Sequence, residues 1–174
     1  MAIATISQIK AAIGTGARAN LFRVTFAGGL VAGADSDLSF LTKSAALPGS
    51  TVGLIEVPHV AGRKLKIVGD RTFTEWTTTV LNDGDFNVRK TLEDYQSGMV
   101  SKSFDGATVG NRSQASVLAT ATIEQLNSAS EVVRTYKLYN CFISELGQID
   151  LSYDSPDQVE EFTCTWVYDY YTVA

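Results

Sequence analysis

The sequence predicts a mainly β fold: two packed antiparallel sheets forming a barrel-like or sandwich-like subunit, with one α-helix and an extended arm. Three observations carry this. Apolar residues recur at every second position through most of the chain, one segment alone has helical spacing, and the stretch around Val52–Val57 is apolar without alternating. At 174 residues the chain is long enough for one domain with a sizeable core and short for two. The expectation is a single domain over residues 1–174, with an N-terminal arm at 1–19, an extended loop at 43–71 and a helix at 85–98.

Taken in order, Ala19–Phe26 reads as a strand, with Phe22, Val24 and Phe26 on one face and Arg23 and Thr25 on the other. Val31–Asp37 reads as a polar loop, and Leu38–Ala46 as a second strand stopped by Leu47-Pro48-Gly49. Ser50–Asp70 carries Val52, Leu54, Ile55 and Val57, but Pro58 forbids a central strand position and Gly62 and Gly69 interrupt it. An extended arm or long hairpin fits better than core. Arg71–Leu81 is β-branched and aromatic, hence a strand. Val88, Leu92, Tyr95 and Met99 then follow at i, i+4, i+7 and i+11 behind the turn residues Asn82–Asp85, one helical face ending near Gly98.

Ala115–Leu126, Glu131–Tyr139 and Asn140–Tyr153 read as long strands, with a bulge or bend expected at Gly147. In Gln158–Val173, residues Phe162, Cys164, Trp166, Tyr168 and Tyr170 share one face, and Thr163, Thr165 and Asp169 the other.

Composition narrows the function. Charged residues are 19% of the chain against an average near a quarter, which suggests surface covered by copies or partners. The net charge is −5, and the densest cationic stretch is Arg63, Lys64 and Lys66, so sequence-specific nucleic-acid binding is disfavoured. Cys141 and Cys164 have neither zinc spacing nor the density of a disulfide scaffold, and read as small core hydrophobes. Residues 1–10 lack the basic n-region of a signal peptide, and no apolar run is long enough to span a bilayer. The expectation is a protein made in a cytoplasm and soluble until it meets its partner.

The search for chemistry returns nothing. His59 is the only histidine and follows Pro58 in the least core-like segment. Asp83 and Asp85 flank a glycine but lack the further ligands of a calcium loop. Adjacent Glu160 and Glu161 point to opposite faces of a strand and cannot share a site. No phosphate-binding glycine motif occurs, and the triplet Asn111-Arg112-Ser113 has the frequency of chance. No enzyme activity, cofactor or metal is expected.

One ordered set of short motifs is specific. Lys43-Ser44 with Leu47-Pro48-Gly49, Ile55-Glu56-Val57-Pro58, Gly62-Arg63-Lys64-Leu65-Lys66, Gly69-Asp70-Arg71-Thr72-Phe73, Glu75-Trp76, then Asn82-Asp83, Phe86, Val88-Arg89-Lys90 and Glu93-Asp94 occur in fixed order. This series, within Asn20 to about Gln96, resembles the tail tube proteins of contractile-tailed bacteriophages, and more broadly the inner-tube proteins of contractile injection systems. The resemblance implies rings of six subunits stacked into a tube, with an inner barrel shared between neighbours and DNA passing through without specific binding. It further implies sheath, baseplate, tape-measure and tail-terminator proteins as partners, no membrane, and a place in the virion tail after assembly in the host cytoplasm. A non-phage injection system of the type VI or tailocin kind would match the same motifs, and a soluble ligand-binding β-barrel is the remaining alternative.

Under that resemblance, Leu47, Pro48, Val52, Leu54, Ile55, Val57, Arg63, Lys64 and Lys66 are candidates for contacts between subunits or rings. Lumen candidates lie on polar strand faces: Thr120, Thr122 and Glu124, with Thr163, Thr165 and Asp169. Alternation separates the two faces of each strand but does not say which meets the channel.

Overall fold

In the computed structural model, which describes residues 5–14, 16–29, 35–60, 62–100, 117–154 and 157–174, nine strands and three helices follow one another. They are α1 (Ile6–Ile13), β1 (Phe22–Ala27), α2 (Asp35–Leu41), β2 (Thr42–Ala45), β3 (Ser50–Pro58), β4 (Lys64–Phe73), β5 (Trp76–Leu81), α3 (Asn87–Met99), β6 (Ala119–Leu126), β7 (Val132–Leu146), β8 (Glu161–Val167) and β9 (Tyr170–Val173). The main sheet is antiparallel throughout, in the order β1-β6-β7-β8-β5-β2, with β9 added to β7; β3 and β4 pair only with each other.

This sheet curls back on itself. Phe26 on β1 stacks on Trp166 of β8 with ring centroids 4.9 Å apart, although β6 and β7 separate the two strands in the sheet order. The curl is made by β7. Its first part pairs with β6 and β9, and its second part pairs with β8 alone. Between them Asn140 takes a left-handed conformation (φ 58°), which an Asn tolerates better than a branched residue, and the register to β6 slips there. The partner chain breaks at the same level. Asp169, between β8 and β9, accepts from the Asn140 amide at 2.6 Å, and its own N–H donates to the Tyr139 carbonyl at 3.1 Å. Two walls result: one of β1, β6, the start of β7 and β9, the other of β2, β5, β8 and the end of β7.

The bend expected at Gly147 therefore lies at Asn140. Gly147 sits just beyond β7, and a Cβ there would meet the Thr163 carbonyl oxygen at 2.9 Å, so close backbone approach is what the position requires. The same corner resets the alternation of the last segment. Phe162, Cys164, Trp166 and Tyr168 face the core as expected, but Tyr170 turns outward and Tyr171 takes the inward place.

Between the walls the core is Val24, Phe26, Trp76, Val80, Ile123, Leu138, Ile143, Phe162 and Trp166, closed by Val88, Leu92 and Tyr95 of α3. That helix spans 87–99 where 85–98 was expected. It is started by Asp83, whose carboxylate accepts from the N–H groups of Asn87 and Val88 at 2.9 and 3.2 Å. Desolvation acts to raise that carboxyl, and the donated hydrogen bonds outweigh it and hold it below its usual value. No glycine cap ends the helix; it stops at Val100, which is extended. The Tyr95 hydroxyl donates to the Val117 carbonyl at 2.7 Å.

Four segments depart from the expected elements. The strand expected at Asn140–Tyr153 ends at Leu146 and joins most of Glu131–Tyr139 in the single strand β7. Leu38–Ala46 is a strand only from Thr42; before it lies α2, with Leu38 buried, Leu41 packed on the core and Phe40 out in solvent. The inward pair is spaced i, i+3, which is helical, while Leu38, Phe40 and Thr42 imitate a strand. The arm at 1–19 contains α1, with a capping box between Thr5 and Gln8 and none of its residues buried. The strand expected at Arg71–Leu81 divides at Thr74–Glu75, where the chain leaves the β3–β4 hairpin for the main sheet. The Asn111 triplet and the start of the expected Val31–Asp37 loop lie outside the described residues.

Both cysteines are buried and unpaired. Burial pushes the Cys141 thiol up to about 11 and the Cys164 thiol to about 12, and raises the Tyr95 hydroxyl as well. A folded value above the unfolded one, about 8.5 for a thiol, means that this stability is whole below that pH and is lost as pH rises through the folded values. The melting temperature is expected to be flat from about pH 6 to 8 and to fall above about pH 9. A thiol reagent should label neither cysteine before unfolding; fast labelling of the native protein would contradict this.

Candidate functional site

Among the strands, the β3–β4 hairpin has the least support from its own subunit. Its base is tied by Thr74, whose N–H donates to the Gly49 carbonyl at 3.4 Å, and by Phe73, whose ring meets Tyr168 and Tyr171 at 6.0 and 5.5 Å. Beyond Gly53 every described residue of β3 is exposed. Gly53 and Gly69 lie back to back there: a Cβ on Gly69 would meet the Gly53 backbone at 3.0 Å, so the strands cross closely where the register slips between Val52 and Leu54.

Past that crossing the two faces separate. Ile55 lies opposite Ile67, and Val57 opposite Leu65, giving one apolar face; Ile55 is 53% exposed and Leu65 60%. Glu56, Lys64 and Lys66 occupy the reverse face with Leu54 and Val68, and Glu56 pairs with Lys64. A two-stranded hairpin with an open apolar face is marginal alone in water, and apolar patches of this kind mark contact surfaces. Over the nine residues of β3 it reaches roughly 30 Å. Of the other candidates nearby, Val52 and Leu47 are exposed, whereas Pro48 is buried in its own subunit and presents nothing to a neighbour.

The two sets of lumen candidates do not share a face. Thr120, Thr122 and Glu124 lie on β6 and point out of the first wall, beside Thr25 and Arg23; Arg23 pairs with Glu124 at 2.5 Å. Thr163 and Thr165 lie on β8 and point out of the second wall, opposite Thr79 and Thr77. Because the walls pack by their inner faces, these outer faces look in opposite directions, and one channel can meet only one of them. Asp169 belongs to the corner, held by Asn140. Sequence alternation could not reveal this, since it gives no relation between strands in different walls.

The edges of the walls also differ. At β1 the Val24 carbonyl is taken by the hydroxyl of Ser39 on α2. The second wall runs from β2 to the end of β7, each of which has a sheet neighbour on one side only.

Chemistry has little foothold. His59 is exposed, its Nδ1 2.9 Å from the Val60 carbonyl oxygen. Among the described residues no group of three His, Cys, Asp or Glu side chains could hold a metal, and no helix is long and apolar enough to cross a membrane. Sequence reasoning passed over one surface, formed by residues 148–154 and 157–160, which exposes Leu151, Tyr153 and Val159. The run of acids through it was the available signal.

An open apolar hairpin, bare polar sheet faces and a sheet with two one-sided edges define a subunit whose surfaces are shaped for contact with other protein. Comparison with known proteins agrees. The family model described as "Phage tail tube protein" matches residues 15–174. The tail tube protein gp19 of Enterobacteria phage T4 is 29% identical over 156 residues, covering 89% of this chain and 90% of that one. A tail tube protein of Serratia phage KSP90 is 28% identical, with 93% of each chain covered. Among solved structures, a chain of the sheath-tube complex of an extracellular contractile injection system (PVC) has the same fold, with a TM-score of 0.64, 18% identity and 99% of both chains covered. A chain from the six-fold symmetrised baseplate of the anti-feeding prophage reaches a TM-score of 0.67 at 14% identity, covering 92% of this chain and 97% of that one. The chain belongs to the phage tail tube protein family, and is a structural component of the phage tail.

Proposed function

We propose that the chain forms rings of six subunits that stack into the inner tube of a contractile tail, and that DNA leaves through the bore. The observation that carries this is the β3–β4 hairpin, whose apolar face has no cover within its own subunit. Sheath, baseplate, tape-measure and terminator proteins are then its neighbours, and the role is architectural, with no reaction to catalyse.

The second wall is the better candidate for the bore. Continuing a sheet from subunit to subunit needs an uncovered edge on each side, and α2 covers part of the β1 edge of the first wall. Thr77, Thr79, Thr163 and Thr165 then face the DNA, with Glu145 and the Lys43–Glu161 pair on the same wall. Thr120, Thr122 and Glu124 face outward. Six copies at −5 each carry about −30 per ring, and a hydroxyl-rich wall offers phosphates no cationic ladder. Repulsion acts within about 8 Å at physiological salt, so it keeps a duplex off the wall and does not grip it.

Electron microscopy of the purified protein at high concentration is expected to show six-fold rings and stacked tubes, and those tubes should retain no duplex DNA at physiological salt. A chain that stays monomeric under every nucleating condition would overturn the tube; salt-sensitive DNA capture in the bore would overturn the wall assignment.

A further inference from the structure

Helix α1 has a face that nothing in its own subunit covers. At 3.6 residues per turn, Ile6, Ile9 and Ile13 fall within about 60° of arc, and Lys10 lies about 40° beyond Ile6, on the rim of the same stripe. Ile6 is 73% exposed and Ile13 62%, and no residue of the helix is buried. The helix is eight residues long, below the roughly 12–15 at which a helix holds by itself in water, and the Thr5–Gln8 capping box is its local support. A helix this short is held in place when its apolar stripe is docked. It also lies ahead of residue 15, where the family match begins.

A surface of complementary chemistry is formed by Gln148–Tyr153 and Gln158–Glu161. These residues wall a cleft of about 610 Å³ whose apolar lining is Ile149, Leu151, Tyr153 and Val159. Leu151 is 77% exposed and Val159 68%. Two carboxylates on the cleft are fixed by amides: the Gln148 amide donates to Asp150 at 3.2 Å, and the Asn82 amide to Glu160 at 2.9 Å. Glu161 is neutralised by Lys43, but among the described residues neither Asp150 nor Glu160 has an ion-pair partner, and neither does Lys10. The cation of α1 thus borders its apolar stripe, as the free carboxylates border the apolar cleft. Within one subunit the two surfaces do not meet, since both stand open to solvent.

We infer that α1 of one copy seats in the 148–161 cleft of a second copy, its isoleucines on Leu151 and Val159 and Lys10 at the acidic rim. This rests on the tube reading, which supplies the second copy, and it uses neither strand of the β3–β4 hairpin. Docking orders the helix as it buries the stripe, so α1 is a clasp that tightens only in the assembly.

Cysteine pairing in the full-length chain tests this. Chains carrying Ile6→Cys, mixed with chains carrying Val159→Cys, assembled and mildly oxidised, should give a disulfide-linked mixed dimer as the main covalent product; Cys141 and Cys164 are buried and do not compete. Amide exchange at residues 6–13 should be fast in the subunit and slow in the assembly. Ile9→Asp with Ile13→Asp should keep the melting temperature, because α1 buries nothing in its own subunit, and should cut assembled mass by light scattering about tenfold or more. Wild-type protein that forms no rings sinks the tube reading, and this contact with it. Wild-type tubes with no mixed dimer, with residues 6–13 still exchanging fast, or with the double aspartate variant assembling normally, leave the tube standing and overturn the contact. A chain carrying both cysteines that links within itself overturns it as well, by placing the helix on its own subunit.

Discussion

Ile55→Asp is expected to leave the subunit folded, with an unchanged melting temperature, and to abolish tubes. Ile55 stands half exposed on a hairpin that touches the main sheet only at its base, opposite Ile67. In the isolated subunit a carboxylate there stays in water and costs little. In an assembly it would be buried without a partner on an apolar face, a cost of several kcal/mol at every copy around the ring. Thermal melting by circular dichroism beside negative-stain microscopy separates the two effects. A variant that unfolds would show that the hairpin supports its own subunit; one that polymerises normally would show that this face is not the contact.

Trp166→Ala is expected to do the reverse and weaken the fold itself. The indole is fully buried, stacks on Phe26 at 4.9 Å and lies 6.1 Å from the Trp76 ring. Its Nε1 donates to the Thr78 hydroxyl at 3.1 Å, so truncation also strands a buried oxygen. Phe or Trp to Ala in a core costs about 3–5 kcal/mol, a large share of the roughly 5–15 kcal/mol that holds a domain. For a chain of this size that lowers the melting temperature by roughly 6–20 °C. Urea unfolding of the monomer measures it, and a loss below about 1 kcal/mol would mean that this ring cluster does not hold the two walls together.

What could be read from the residues follows from how strongly each pattern ties to one geometry. Val88, Leu92 and Tyr95 match only a helical face, and they are buried as one. Phe162, Cys164 and Trp166 alternate over a chain that runs straight, and they too enter the core. Leu38, Phe40 and Thr42 alternate as well, but the burial runs through Leu38 and Leu41, and a segment this short satisfies both periods. Asn140 carries the bend that joins the two walls, yet an Asn amid alternating residues resembles any polar position in a strand. The candidate site divides the same way. The hairpin residues were legible because Val52–Val57 fail to alternate. The opposed faces of Thr122 and Thr165 were not, since they depend on β7 crossing from wall to wall.

The corner at Asn140 and Asp169 has a mechanical meaning. β7 passes from the first wall to the second without interruption, and β8 and β9 return beside it, broken only at Tyr168–Asp169. Sheets held together by side-chain packing alone can slide or peel under tension. Here a pull on the first wall reaches the second along two continuous main chains, stitched to each other by hydrogen bonds on both sides of the bend. Load is carried by covalent backbone, and the core between the walls need only keep their spacing.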